Sequence, residues 1–337
     1  PALCITPRGK DEWMPLLLST RAVTAPPIDL FTSEEARALS LPLRSEAFTR
    51  IRPGVYARRS AWKELTSWGR YAARVHAFVR THPDAVLALE SAAVLHGLPH
   101  FGEARHVHVS VDAPTKSARY GDIRVHTSAQ EREVVRIGSA LVTSFRDTVV
   151  DLARTLPPAQ ALAVVDAALS PVQGGRHALE DLRDLCEARD DRRGVSRARW
   201  VWAHADARSE SPTESISRAV IAWSGFEAPD LQHEFTYEGV DDRVDFLFRS
   251  GAVVGEADGW GKYELADPTS AAKQLTAEKR REDRLRRHGH PVVRWESIDV
   301  WRITPLCEKL RAAGVPQLSA PSPAYLETLK HRTRRAF

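Results

Sequence analysis

The stretch from 211 to 296 constrains the fold more than any other part of the chain, because it sets acidic side chains on an ordered run of elements. Ser211, Pro212 and Glu214 predict a helix start: Ser as N-cap, Pro at the first helical position and Glu three residues after the cap. Three short strands follow, two of them over 243–248 and 252–257, then a long basic helix over about 271–287 and a closing strand at 291–295. The order is helix, meander, helix, strand.

Residues two apart on a strand share a face, so Glu256 and Asp258 point together, away from Gly255 and Ala257. If the strands pair, Asp245 approaches from the neighbouring one. Oxygen ligands converging from two strands suit Mg²⁺, and a metal so held activates water and stabilises charge building on a phosphate. Asp245, set among Val244, Phe246 and Phe248, is costly as a mere strand residue, because a buried unpaired carboxylate loses its hydration. Plain structural readings stand beside these. Glu214 can be a capping residue, and Asp258 with Gly259 can form a hairpin turn.

A family resemblance rests on these residues. Ser211, Pro212, Glu214 and Ser215, then Arg243, Val244, Asp245 and Phe246, then Gly255, Glu256, Asp258, Gly259, Lys262 and Tyr263 resemble the very-short-patch-repair-type branch of the PD-(D/E)XK superfamily. Glu278, Lys279, Arg280, Arg281, Glu282, Asp283, Leu285, Arg286 and Gly289, then Val292, Val293, Arg294 and Trp295, continue the match. Such domains end many actinobacterial proteins that start with a winged helix similar to the AbiEi antitoxins, and the chain resembles those proteins from about Pro27 onward.

The resemblance implies a multidomain α/β chain: an N-terminal winged helix, a mixed α/β middle domain and a C-terminal three-layer, restriction-endonuclease-like domain. Asp245 and Glu256 become the expected Mg²⁺ (or Mn²⁺) ligands, with Glu214 helping from the first helix and Asp258 in support. The superfamily's usual lysine two residues after the acid is replaced by Asp258. Lys262 or Lys279 is therefore the expected source of the charge that orients the attacking water.

The expected boundaries are 1–26, a tail with Met14 as a natural start; 27–62, the winged helix; 63–206, the linker domain; and 207–337, the nuclease-like domain. At 337 residues the chain exceeds one ordinary core, so two or three domains are expected. In 27–62, Ser33 with Glu34 and Glu35 predicts a capped short helix. A second short segment follows at 43–48, and a hairpin turns at Pro53 and Gly54. Arg37, Arg44, Arg50, Arg52, Arg58 and Arg59 would offer charge to phosphates. A protein-interaction module is the alternative for this segment.

The middle carries structure more than chemistry. Helical periodicity is expected over 65–79, 85–95, 145–156, 158–169, 177–188 and 195–204, with strands at 106–111 and 123–126. His96, His100, His106 and His108 have spacing that zinc can use, but His106 and His108 also fit the solvent face of an ordinary strand. Gly174 and Gly175 fit a plain loop better than an anion-binding helix start. The nine tryptophans are expected in cores, except Trp260, which could stack on a base.

Lys273, Lys279, Arg280, Arg281, Arg284, Arg286 and Arg287 crowd the basic helix, against Glu278, Glu282 and Asp283. They fit either a nucleic acid or a solvated face laced by pairs such as Glu282–Arg286 and Asp283–Arg287. Net charge is only +4, compatible with a nucleic acid without demanding one. Cys4, Cys186 and Cys307 are too far apart for a disulfide framework or a cysteine zinc site, and no apolar run approaches a membrane span, so a cytoplasmic protein is expected. The reading is a Mg²⁺-dependent endonuclease-type protein, with DNA the expected polymer. The alternative is an AbiEi-like antitoxin or transcriptional regulator whose nuclease-like domain is an inactive scaffold. The antitoxin likeness also implies a cognate toxin as partner.

Overall fold

The computed structural model describes residues 17–102, 104–112, 117–128, 130–258 and 268–330, with backbone alone at 268–275. The fold is mixed α/β, and its contacts form two compact units, Leu17–Ala207 (joined by Thr328, Leu329 and Lys330) and Arg208–Glu327. Among the described residues no helix is long and apolar enough to cross a membrane.

The first unit opens with α1 (Leu18–Arg21), β1 (Phe31–Thr32), α2 (Ser33–Ala38), β2 (Phe48–Arg52), β3 (Val55–Arg58) and α3 (Arg59–Glu64), and its strands form a sheet in the order β1-β3-β2. The hairpin turns at Pro53 and Gly54 as expected, with Gly54 at φ 77°, a conformation that favours glycine. The cap of α2 is Thr32 rather than Ser33: Thr32 and Glu35 exchange a reciprocal capping box. Residues 43–47 form turns, not a helix.

The expected tail is shorter than 26 residues. Leu18 is buried, its N–H donates to Gln173 O at 2.8 Å, and that of Val23 donates to Val94 O at 3.0 Å. Residues 1–16 lie outside the described residues. Nor does 27–62 have a core to itself: Leu30, Val55 and Ala57 pack with Ala77 of the following helix.

That helix is α4 (Ser67–Thr81), followed by β4 (Val86–Leu87), α5 (Leu89–His96), β5 (Val107–Asp112), β6 (Ala118–Tyr120), β7 (Ile123–Ser128), β8 (Val134–Ile137) and β9 (Ala140–Thr143). The six strands form one sheet in the order β6-β7-β5-β4-β9-β8, with β5–β7 and β4–β9 parallel. The expected helix over 85–95 therefore begins only after a short strand. Its glycine stop is real: Gly97 caps it at φ 70°, and a Cβ there would meet Leu18 O at 1.8 Å. Helices α6 (Phe145–Thr155), α7 (Pro158–Leu169), α8 (Leu179–Glu187) and α9 (Val195–His204) complete the unit. Gly175 is a close-approach glycine, since a Cβ would meet Ala167 O at 2.4 Å, and Gly174 with Gly175 fits the plain-loop reading.

The second unit runs α10 (Pro212–Trp223), β10 (Asp230–Tyr237), β11 (Val240–Phe248), β12 (Val253–Asp258), α11 (Pro268–Arg287), β13 (Val292–Glu296), α12 (Ser297–Arg302), α13 (Thr304–Ala312) and α14 (Pro323–Thr328). Its sheet has the order β10-β11-β12-β13, antiparallel through the meander and parallel between β12 and β13. Helix, meander, helix and strand thus follow in the expected order, and the three closing helices add to it. Gly255 lets this layer close: a Cβ there would sit 2.6 Å from the Trp295 ring, which packs on Phe246 and donates from Nε1 to Ser217 Oγ of α10 at 2.9 Å.

Candidate active site

Glu214 stands in the first turn of α10. Ser211 caps that helix by accepting the Glu214 N–H at 3.2 Å, and Pro212 sits where its missing N–H costs nothing. The Glu214 side chain is only 2% exposed, and its Oε2 accepts from the Glu210 N–H at 2.8 Å and from Gln232 Nε2 at 3.1 Å. It therefore ties down the segment before the helix, which is more than a capping box at Ser211 would do. Burial first, and then the charge of Asp245, raise its carboxyl well above the usual glutamate range.

Asp245 lies where the meander changes character. The β11–β12 ladder runs from Phe248↔Val253 to Phe246↔Gly255 and stops; one step further, Asp245 Oδ2 accepts the N–H of Ala257 at 2.9 Å. A carboxylate has replaced the next carbonyl of the ladder. The alternation slips here too: Val244 and Leu247, three residues apart, share one apolar cluster with Leu285 of α11, while Phe246 packs on Trp295. Asp245 sits within this slip. Glu214 on α10 and Asp245 on β11, with β10 between them in sequence, are thereby brought close enough to repel.

Glu256, buried at 4% exposure, holds a salt bridge from its Oε2 to Arg281 Nη2 of α11 at 3.1 Å. Asp258 meets Arg294 at 3.3 Å, and the same guanidinium reaches Glu278 at 3.3 Å and Glu282 at 3.8 Å. Burial opposes the charge of Arg294, but Asp258, Glu278 and Glu256 outweigh it and raise Arg294 above arginine's ordinary range. The sequence reading missed Arg281 and Arg294 as partners of the acids. Only their presence in a basic helix and a closing strand hinted at them. Of the two expected lysines, Lys279 is exposed on α11 and Lys262 lies outside the described residues, as does Trp260.

Among the described residues no group of three His, Cys, Asp or Glu side chains is arranged to hold a metal ion. The donors nevertheless match a hard cation in kind. Glu214, Asp245 and Glu256 all offer carboxylate oxygen, and the repulsion that raises Glu214 is one a divalent cation would relieve. Loading such an ion at Glu256 requires Arg281 to release it.

The arginines expected at phosphates divide. Arg37, Arg44, Arg50 and Arg280 are exposed. Arg52 is a correction: it is buried, ion-paired with Asp122, and set over the Phe78 ring at 5.1 Å, so it serves packing. Arg284 is another, held by Asp242 through bonds of 2.7 and 2.6 Å. Arg286 pairs with Glu282 at 2.7 Å as expected, whereas Arg287 reaches Glu238 at 2.8 Å instead of Asp283. Arg281, Arg284 and Arg287 thus pin the helix onto its own unit, while Arg286 pairs within it.

The histidines do not converge on a metal. His96 Nε2 donates to Thr143 O at 2.9 Å and His100 stacks on Trp68. His108 is buried rather than solvent-facing, with Nδ1 2.8 Å from His126 Nε2 and Nε2 3.6 Å from Glu90. Cys186 and Cys307 are buried free thiols.

Fold and acids together define a multidomain α/β protein whose second unit, built on a mixed four-stranded sheet, buries the carboxylates of Glu214 and Glu256. The chain is 30% identical over 257 residues to two uncharacterized proteins of Mycobacterium tuberculosis, MT2308 of strain CDC 1551 / Oshkosh and Rv2248 of strain ATCC 25618 / H37Rv, an alignment that takes in 76% of this chain and 88% of each of them. It belongs to the family of these mycobacterial proteins. No family model matches the chain, and no solved structure matches it.

Proposed function

We propose that this is a nucleic-acid-binding protein whose second unit is a PD-(D/E)XK-type endonuclease, hydrolysing phosphodiester bonds in DNA. One observation carries the reading. A buried Glu214 is held beside Asp245, where the strand ladder gives way to a carboxylate, one residue from Glu256 on the facing strand. Folding alone gains nothing from a buried Glu214 set where the half-buried Asp245 repels it, whereas perturbed carboxylates of this sort recur at catalytic sites. The helix, meander, helix and strand order supports the same family.

Asp245 and Glu256 would hold Mg²⁺ or Mn²⁺, which supplies a water made acidic enough to attack and a counter-charge for the phosphate. Glu214, whose ionisation burial and Asp245 disfavour, would help to hold the cation, which relieves that repulsion. Arg281, rather than Lys279, reaches Glu256, and it would take the part of the lysine for which Asp258 stands. Swung from Glu256, it would meet a phosphate oxygen and orient the water. The exposed Arg37, Arg44, Arg50 and Arg280 would hold the polymer by its backbone.

The test is nicking of plasmid DNA by the purified chain with Mg²⁺ or Mn²⁺, beside Asp245→Ala and Glu256→Ala. Each variant is expected to lose on the order of 100-fold or more, as enzymes do when a metal-holding or transition-state group is removed. Equal nicking by all three proteins would sink the reading.

The Arg281–Glu256 pair also favours a second reading, an AbiEi-like regulator or antitoxin with a toxin partner, in which the guanidinium plugs a scaffold that does not cut. Nicking separates the two: Arg37→Glu with Arg50→Glu weakens DNA in a gel shift under both readings, but under the scaffold reading the wild-type chain cuts with neither Mg²⁺ nor Mn²⁺. Deleting 27–62 is the poorer experiment, because that segment shares core with Ala77.

A further inference from the structure

We infer that the first unit carries a second, separate site, for a small phosphate-bearing molecule of nucleotide size. A cavity of about 600 Å³ opens among β5, β7, the end of α6 and the start of α9, within the range that small-ligand sites occupy. Its wall holds Arg124, Arg132, Arg154, Arg193 and Arg197 against Asp151 and Asp191, an excess of three positive charges. Asp151 is further neutralised by Arg189, outside the wall. A recess so charged and partly screened from water selects for a compact polyanion.

Asp151 holds Arg132 at 3.1 Å and Asp191 holds Arg193 at 2.8 Å, and backbone carbonyls fix Arg154 and Arg197. Arg154 is buried, its Nε donating to Arg193 O at 3.0 Å, and Arg197 Nη1 donates to Arg154 O and Thr155 O, both at 3.2 Å. Gly194 opens α9 at φ 75° with no side chain to cap the helix, and a Cβ there would meet Arg154 O at 2.1 Å. Glycine is thus enforced by packing, and the positive end of a ten-residue helix joins the wall without a carboxylate or hydroxyl of its own to satisfy it. Hydroxyls of Ser110, Ser117 and Ser128 also line the wall, while that of Thr155 donates to Asp151 O at 2.6 Å. His126 is the single ring among them, fixed by His108 through Nδ1 to Nε2 at 2.8 Å. Between its cations the wall is aliphatic, with Ala88 and Leu89 in it, and His126 is its one ring, so orientation falls on the phosphate rather than on a stacked base. The enclosure suits a free ligand better than a polymer.

Calorimetry on the full chain at low salt, with pyrophosphate, ADP and adenosine as probes, tests this. Pyrophosphate and ADP are expected to bind and adenosine not. Arg124→Gln and Arg197→Gln should each weaken pyrophosphate about tenfold or more, while Arg183→Gln on α8 leaves it unchanged. Should either arginine variant melt early, Ser128→Asp puts a negative charge in the same wall and should give the same loss. No binding of either phosphate probe at 1 mM overturns the inference, as does unchanged affinity in all three wall variants. Binding confined to a 5′-phosphorylated oligonucleotide overturns it too. None of these outcomes depends on whether the second unit cleaves DNA.

Discussion

Glu214 gives the fold nothing that a glutamine could not supply, and it carries a clear cost. Its carboxyl is raised by burial and by Asp245, so its ionisation is disfavoured in the folded state. The sign follows from linkage. A group whose folded pKa is raised contributes stability fully below its unfolded value, ordinarily about 4.5 for this side chain, and loses it as pH rises through the folded value. Glu214→Gln should therefore gain in melting temperature relative to wild type on going from pH 4.5 to pH 7.5, while DNA nicking falls. A difference in melting temperature that does not change with pH would refute the assignment. Gly255 makes the opposite prediction. Because a Cβ would press on the Trp295 ring and on Phe246 Cβ at 3.2 Å, Gly255→Ala should destabilise by about 1–3 kcal/mol in chemical denaturation, the usual range for overpacking.

At the scale of elements, α11 separates cations that build from cations that bind. Arg284 is engaged twice by buried Asp242, so Arg284→Ala should cost about 1.5–3 kcal/mol, the range for charged hydrogen bonds. Arg280 is exposed, so Arg280→Glu should leave urea denaturation within about 0.5 kcal/mol of wild type and weaken DNA in a gel shift. A loss of stability at Arg280 with none at Arg284 would reverse the roles. The helices α6, α7 and α9 were legible because each has a start marked by Ser or Pro or a preceding glycine and an apolar stripe at helical spacing. The strand at Val86–Leu87 was not, since two residues carry no period and merge into the helix that follows. His108 was misplaced because alternation assigns faces but cannot tell that β5 lies inside a six-stranded sheet with both faces open to partners. Glu214, Asp245 and Glu256 were readable as acids in costly places. That Arg281 rather than a lysine would meet Glu256 depends on how α11 lies over β12, and no local spacing encodes that.

For the whole molecule, the division into Leu17–Ala207 and Arg208–Glu327 assigns the two proposed chemistries to different units. The acids at 214, 245 and 256 and their arginines at 281 and 294 all belong to the second, whereas the cationic cavity belongs wholly to the first. The second unit has its own sheet and a buried cluster of Phe235, Val244, Leu247, Val254 and Leu285, and is long enough to bury a core without help. A fragment of residues 208–327 should therefore melt cooperatively by circular dichroism and retain the metal-dependent nicking of the full chain. Its DNA affinity should be lower and its salt dependence shallower, because without Arg37, Arg44 and Arg50 fewer phosphates are neutralised and fewer counterions are released. A fragment that melts cooperatively but cuts no DNA, while the full chain does, would mean that the catalytic centre needs residues from outside this unit, and the assignment to Glu214, Asp245 and Glu256 alone would be incomplete.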